Sequence, residues 1–295
     1  MTKYKLSICA IAKNEGAYLL EWLEFHKLVG VEHFYFYDNE SNDNTREILD
    51  LYEKSGYISY HYWDSQKIKK EQAKYRKSKY APHKYAVQHC LENYCYESEW
   101  IAFLDLDEFL FSPKKNDLKD VIEDYRNFPG VLVNWLSFGS SGYLTKPKGL
   151  QIENFTKRAK GNHRLNRFVK TICQPSKVQP SGEVHKAIPI EGSLVTENKM
   201  TDLSEYKDRT IIHSSKNLRI HHYITRSKEE HLNRPRWKPE KGMLERFERL
   251  NRECNEVEDL TMQRFIFQVK RNVEKIKLAI SSSQLQSLKE EIQKY

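Results

Sequence analysis

A chain of 295 residues, 39 % hydrophobic and 12 % aromatic, can bury a core without disulfides or a structural metal. With 31 % charged residues and no apolar run near the roughly 18 residues a membrane helix needs, a spanning helix is excluded. The net charge of +8 favours phosphate-bearing partners in general, and five scattered cysteines without CxxC spacing argue against a disulfide framework or zinc site and for a reducing cytoplasm.

In chain order, residues 6–12 form an apolar run that Lys13-Asn14-Glu15 cuts off before it is long enough for a signal peptide, so it reads as a buried first strand. Tyr18, Trp22, Phe25 and Val29 recur at helical spacing, with Gly30 where a helix C′ residue belongs. The aromatic stretch 31–37 predicts a strand covered on both faces. A polar loop spans 38–45, and Ile48, Leu49 and Tyr52 mark a short helix ending near Gly56. Residues 57–63 alternate as a strand, and a helix is predicted over 82–96. Residues 100–104 form another buried strand that runs into Asp105-Leu106-Asp107-Glu108.

This alternation predicts an α/β fold, with a mostly parallel sheet and helices on both faces. Ligands in such sheets bind at the carboxyl ends of strands, here near Asn14, Asp38, Asp64 and Asp105. The second half is less regular. A helix is expected over 117–126 and a strand over 131–138, ending in Gly139-Ser140-Ser141-Gly142. Short strands and long loops follow to His222, and a helical face returns through Met262, Phe265, Val269, Val273 and Ile276.

Asp105 and Asp107 carry the chemistry expected of this chain. In an extended segment residues i and i+2 point the same way, so both carboxylates can face one site. Their repulsion calls for a cation, and oxygen ligands favour Mg²⁺ or Mn²⁺, which can also stabilise a departing diphosphate. Glu108 is a third carboxylate, open to a ligand-binding or a structural role. The loop 38–45 leads into a helix that Asn44 or Thr45 could cap, and Ser41 and its polar neighbours suit a nucleotide ribose or base.

Four segments in order carry a family resemblance: 7–15, 35–43, 100–109 and 134–142. They resemble the opening strand, nucleotide loop, DxD segment and following strand of GT-A glycosyltransferases, in particular glycosyltransferase family 92 and the related family-2-like enzymes. The resemblance implies a UDP-sugar donor, commonly UDP-galactose, and an inverting, metal-dependent transfer. Bacterial surface polysaccharide or lipopolysaccharide is the expected glycan acceptor. It places Asp105 and Asp107 at the metal and diphosphate, and Asn14, Glu15 and Asp38 near the nucleotide. His221-His222-Tyr223, close to Arg226-Ser227, resembles a later family segment, which makes His222 the expected histidine metal ligand and His185 the alternative. It also implies a transferase domain over 1–230, divided at 112 into donor and acceptor halves, and a helical extension over 231–295.

Inversion needs a base on the acceptor hydroxyl, and Glu153 and Glu183 lie in the loop-rich acceptor half. The basic segment 67–84, with eight Lys/Arg and the single acid Glu71, supports peripheral contact of a cytoplasmic enzyme with anionic membrane and a lipid-linked acceptor. Its tyrosines also admit a nucleic-acid-binding reading, which leaves the carboxylates unexplained and is not expected to hold. A nucleotidyltransferase on a similar sheet is the other alternative, although no glycine-rich phosphate loop follows the first strand.

Overall fold

The computed structural model describes residues 2–75, 82–202, 206–234 and 242–292, with side chains described up to 70 in the first stretch and up to 281 in the last. Residues 76–81 of the basic segment, and the side chains of Tyr75 and Tyr80, therefore lie outside the described residues.

The first half is the alternation read from sequence. Strand β1 (Tyr4–Ala12) leads to α1 (Gly16–Leu28), then β2 (His33–Asp38), α2 (Thr45–Lys54) and β3 (Ile58–Tyr62). Helices α3 (Ser65–Tyr75) and α4 (Pro82–Tyr94) precede β4 (Ser98–Phe103) and β5 (Glu108–Phe111). Both α3 and β5 escaped the sequence reading, which took 109–111 only as apolar framing.

After β5 come a one-turn α5 (Lys119–Ile122), β6 (Gly130–Ser137), a one-turn α6 (Gln151–Asn154) and the short β7 (Lys157–Arg158). The helix expected over 117–126 is therefore short: α5 tightens into a 3₁₀ turn (Glu123–Tyr125), leaving only four residues before β6 starts at Gly130. Next are β8 (Val169–Cys173), β9 (Val195–Thr196), β10 (Arg219–His222) and α7 (Lys228–Asn233). The chain closes with α8 (Met243–Glu253), β11 (Val257–Glu258) and α9 (Gln263–Ile292).

One sheet runs β3-β2-β1-β4-β8-β6-β10-β5, with β9 beside β6. Its first four strands are parallel. Strand β8 reverses the direction between β4 and β6, and β5 pairs antiparallel with β10.

Alternate side chains of β1 serve two cores. Leu6, Ile8, Ala10 and Ala12 pack with α1, α2 and α9, whereas Cys9 and Ile11 pack with Ile68 of α3 and Val87 and Cys90 of α4. Covering on both faces explains why the central strands read as continuous apolar runs. Helix α9 lies on α1, where the Phe265 ring meets Phe25 edge-on at 5.3 Å. Gly30 takes the left-handed turn expected of it, with φ of 100° beside Asp117. All five cysteines are unbridged, and among the described residues no helix is long and apolar enough to cross a membrane.

Candidate functional site

Because β1, β2 and β4 are parallel neighbours, their carboxyl ends meet at one edge of the sheet. At that edge two loops are laced together. The Asn14 backbone N–H donates to Ser41 Oγ (2.9 Å), and the Asn42 N–H donates to Asn14 Oδ1 (2.8 Å). Asn14 takes a φ of 56°, which asparagine tolerates better than most residues.

Asp38 is buried. One of its oxygens accepts from the Ser41 N–H at 3.0 Å and the other from the Tyr60 hydroxyl at 3.1 Å, so it shapes the loop from beneath. Asn44 stands at the cap position of α2 but makes no side-chain cap. Asp43 instead accepts from the Thr45 N–H (3.0 Å) and the Gly16 N–H (2.9 Å), so one carboxylate serves the first turns of two helices.

The segment 104–107 departs from expectation. It is a turn between β4 and β5, closed by the Glu108 N–H on the Asp105 carbonyl at 3.1 Å. The alternation argument for Asp105 and Asp107 applies to extended chain and fails here. Each carboxylate instead meets its own cation.

Lys170 Nζ lies 2.9 Å from Asp105 Oδ2 and 3.3 Å from Glu108 Oε2. It comes from β8, which pairs antiparallel with β4 at Ile101–Cys173 and Ala102–Ile172. Arg234, just past α7, donates to Asp107 Oδ2 at 3.2 Å and to the Ile224 and Tyr223 carbonyls at 3.1 and 3.3 Å. His222 Nε2 stands 3.6 Å from the same Asp107 oxygen, and its ring lies against Trp135. The His222–Glu108 register of β10 and β5 delivers it there.

Burial pushes the Glu108 carboxyl up to about 8, with Asp105 and Asp107 adding to the rise against the pull of Lys170. Burial would also raise Asp107, but His222, Arg234 and Arg226 outweigh it and hold its carboxyl well below the usual range. Burial works against the charge on Lys170, yet Asp105 and Glu108 reverse that effect and keep it protonated.

Beside this group, buried Arg226 donates to Glu15 at 2.9 Å and to Gln151 Oε1 at 2.8 Å, with its guanidinium over the Tyr18 ring. Glu21 Oε2 and Oε1 accept from the Gln151 and Ile152 N–H groups at 2.7 and 2.9 Å, tying α6 to α1. Glu108 Oε1, His222 Nδ1, Arg226 Nη2 and Gln151 Nε2 are buried polar atoms without a hydrogen-bond partner among the described residues.

The other expected residues lie further out. Glu153 pairs with Lys270 of α9 at 2.7 Å. Glu183 faces Lys84 of α4 at 3.7 Å. His185 packs edge-on to Trp135 and holds the Val169 carbonyl at 2.9 Å, and burial lowers it to about 4, aided by Lys170.

The sequence reading missed Lys170 and Arg234, and gave Arg226 no role beyond its place in the later family segment. A lysine in the otherwise uncharged strand Val169-Lys170-Thr171-Ile172-Cys173 was a usable signal. Arg234 lies in a polar stretch and gave none.

Among the described residues, no three His, Cys, Asp or Glu side chains converge as a cation cage. Asp107 and His222, 3.6 Å apart, are of the donor types that could serve one divalent ion as neighbouring ligands. Mg²⁺ and Mn²⁺ are commonly completed by substrate phosphates and water.

The family model described as glycosyltransferase family 92 matches residues 4–294. A family 92 protein of Oryza sativa subsp. japonica is 28 % identical over 182 residues, covering 60 % of this chain and 28 % of the rice protein. One from Arabidopsis thaliana is 28 % identical over 197 residues, covering 62 % and 31 %. The chain thus spans less than a third of the length of these relatives. Among solved structures, S. aureus TarS 1–349 in complex with UDP-GlcNAc is 16 % identical, covering 58 % of this chain and 46 % of that one, with a TM-score of 0.37. Apo mouse xyloside xylosyltransferase 1 is 15 % identical, covering 44 % and 52 %, with a TM-score of 0.27.

Proposed function

The chain belongs to glycosyltransferase family 92, and from that membership we propose that it transfers a hexose from a UDP-sugar to a hydroxyl of a glycan acceptor, with inversion. The observation that carries this reading is the pairing of Asp105, Asp107 and Glu108 with Lys170, Arg234 and His222 at the carboxyl edge of the parallel strands. A diphosphate needs cations aimed at it, and acids that hold those cations in place beforehand.

Asp107 and His222 would hold a divalent cation, which when bound supplies Lewis-acid stabilisation of the leaving diphosphate. Lys170 fixes Asp105, whose side chain retains 27 % exposure and can meet the donor. Asn14, Ser41 and Asp38 shape the nucleotide loop, and Arg226 anchors Glu15 at its rim.

In the reaction the bond from the anomeric carbon to phosphate oxygen breaks, and its electron pair leaves with the UDP. The acceptor oxygen bonds to that carbon from the opposite face and loses its proton to a carboxylate. We assign that carboxylate to Glu183 in preference to Glu153. Glu183 is two residues from His185, which lies against β8 in the field of Lys170 and Asp105, and its contact with Lys84 at 3.7 Å is looser than the 2.7 Å pairing of Glu153 with Lys270 of α9. The expected bacterial acceptor has no support in the compared relatives, which are plant proteins.

The test is UDP release from a panel of UDP-sugars with Mn²⁺ and glycan acceptors, in wild type and Asp107→Asn. Wild type should turn over, EDTA should stop it, and Asp107→Asn should lose at least about a hundredfold with an unchanged circular dichroism spectrum. Full activity in Asp107→Asn, or turnover untouched by exhaustive chelation, would remove the assignment.

A further inference from the structure

A polar cavity of about 380 Å³ lies toward the end of the sheet away from the acids. Ser112, the residue after β5, lines it, whereas Glu108 opens that same strand at the site. Four residues of extended chain, about 13 Å, separate the two places.

The floor is a loop wrapped around one carboxylate. Glu197 is fully buried and accepts from the Ser214 hydroxyl and from the Asn217 and Leu218 amides. The Tyr125 hydroxyl and Asn217 Nδ2 both donate to the Glu197 carbonyl, and Asn217 Oδ1 accepts from Lys114 Nζ at 2.8 Å. Beside it, Ser112 Oγ accepts from the Lys114 and Lys115 amides, each at 3.2 Å. The cavity is thus shaped before any ligand arrives.

Its other charged groups are unspent. Asp120 and Asp124 reach it from α5 and the 3₁₀ turn, Lys115 from the loop after β5, and Lys199 from the turn after β9. Among the described residues, none of these four side chains makes a hydrogen bond or an ion pair. Lys199 takes a left-handed φ of 64°, a conformation uncommon for a side-chain-bearing residue, with its ammonium 5.8 Å from the centre of the Tyr125 ring.

A ligand for this lining must accept from ammonium groups and donate to carboxylates within a short span. It must also carry little net charge, because three lysines are balanced by three acids. Vicinal hydroxyls meet both demands, since each has one donor and two acceptor lone pairs. Their bonds to ionised groups are of the stronger kind. A polyanion such as nucleic acid or an acidic lipid surface would meet the two aspartates as like charges.

We propose that this cavity is a second carbohydrate site, which grips a neutral glycan chain apart from the place of reaction. The choice of glycan rests on the acceptor reading above and adds to it a hold on the chain beyond the residue that reacts. A chain attached at a second point stays at high local concentration between transfers.

The experiment is saturation-transfer nuclear magnetic resonance on the full chain without donor, using tetraoses of glucose, galactose and N-acetylglucosamine as probes. Wild type should bind at least one tetraose, and that glycan should shield Lys115 and Lys199 from acetylation read by mass spectrometry. Lys199→Gly removes the ammonium while suiting the left-handed turn, so it keeps the fold. Asp124→Lys reverses an exposed charge. Each variant should raise the Kd at least about fivefold, with UDP release onto a monosaccharide acceptor unchanged. Equal affinity in wild type and both variants, unshielded lysines, or no response to any tetraose overturns the proposal. Preference for free glutamate or lysine over every tetraose also overturns it and makes the cavity a zwitterion site. Wild type that binds a tetraose here but releases no UDP from any donor removes the transferase reading and leaves the cavity assignment standing.

Discussion

Replacing Lys170 with methionine tests the electrostatics of the site without relying on catalysis. The side chain is nearly fully buried, and methionine has a similar length, so packing changes little while the charge is lost. Removing one partner of a buried ion pair costs about 3–5 kcal/mol. Asp105 retains 27 % side-chain exposure and recovers part of its hydration, which brings the expected loss near pH 7 to about 2–3 kcal/mol.

Glu108 adds a pH signature. With the lysine present its carboxyl titrates at about 8, and without it the group stays protonated to higher pH. In the unfolded chain the same group titrates near about 4.3. The folded state therefore holds one extra proton between these values, and stability falls as pH rises through that window. In wild type the fall ends near 8, whereas in Lys170→Met it continues at about 1.4 kcal/mol per pH unit. Urea unfolding at pH 7 and pH 9 should thus show a gap between the two proteins that widens by about 1 kcal/mol. A gap that stays constant or narrows, at equal m-values, would refute the assignment of Lys170 as the cation that holds Glu108 down.

Two further outcomes follow from other residues. Burial raises Glu21 to about 7, against the opposing amides of Gln151 and Ile152 and the charge of Arg226. Its folded form therefore keeps a proton that the unfolded chain has released, and about 4 kcal/mol of stability is lost as pH rises from about 4.3 to about 7. Glu21→Gln should flatten that part of the pH–stability curve measured by chemical denaturation, and an identical slope would exclude Glu21 as its source. Gly139 lies where an added Cβ would stand 2.6 Å from the Cys254 carbonyl oxygen and 2.2 Å from Asn255 Oδ1. Gly139→Ala should cost about 1–3 kcal/mol in the same assay, with increased proteolysis between 139 and 142, and a neutral change would show that the contact gives way freely.

Local pattern was enough for most elements of the first half, α3 excepted. Apolar runs and helical spacing mark β1, β2, β3 and β4 one element at a time, although β4 finds β1 only across the length of the first half. The other side is assembled from distant pieces. Strand β10 finds β6 and β5 across long loops, and short segments such as Arg219–His222 carry too few residues for a periodicity to register.

The acids of the site were legible because they interrupt an apolar stretch. Their geometry was not. Whether Asp105-Leu106-Asp107 is strand or turn depends on β5 turning back to pair with β10, a long-range event with no local mark. Lys170 and Arg234, which set the charge balance, reach the acids only through tertiary contact. His222 was singled out through the motif around it, and its approach to Asp107 is a consequence of the same β10–β5 register.

The seat of α9 on α1 bears on how the polypeptide is made. Met262, Phe265, Val269 and Val273 belong to the core that α1 also lines, yet they leave the ribosome long after it. Until they emerge, the part of α1 that α9 covers stays an oily flank, and a nascent chain stalled or cut before about residue 262 would keep it bare. Chaperone capture during translation, and aggregation of such shortened products, are the behaviours this arrangement brings with it.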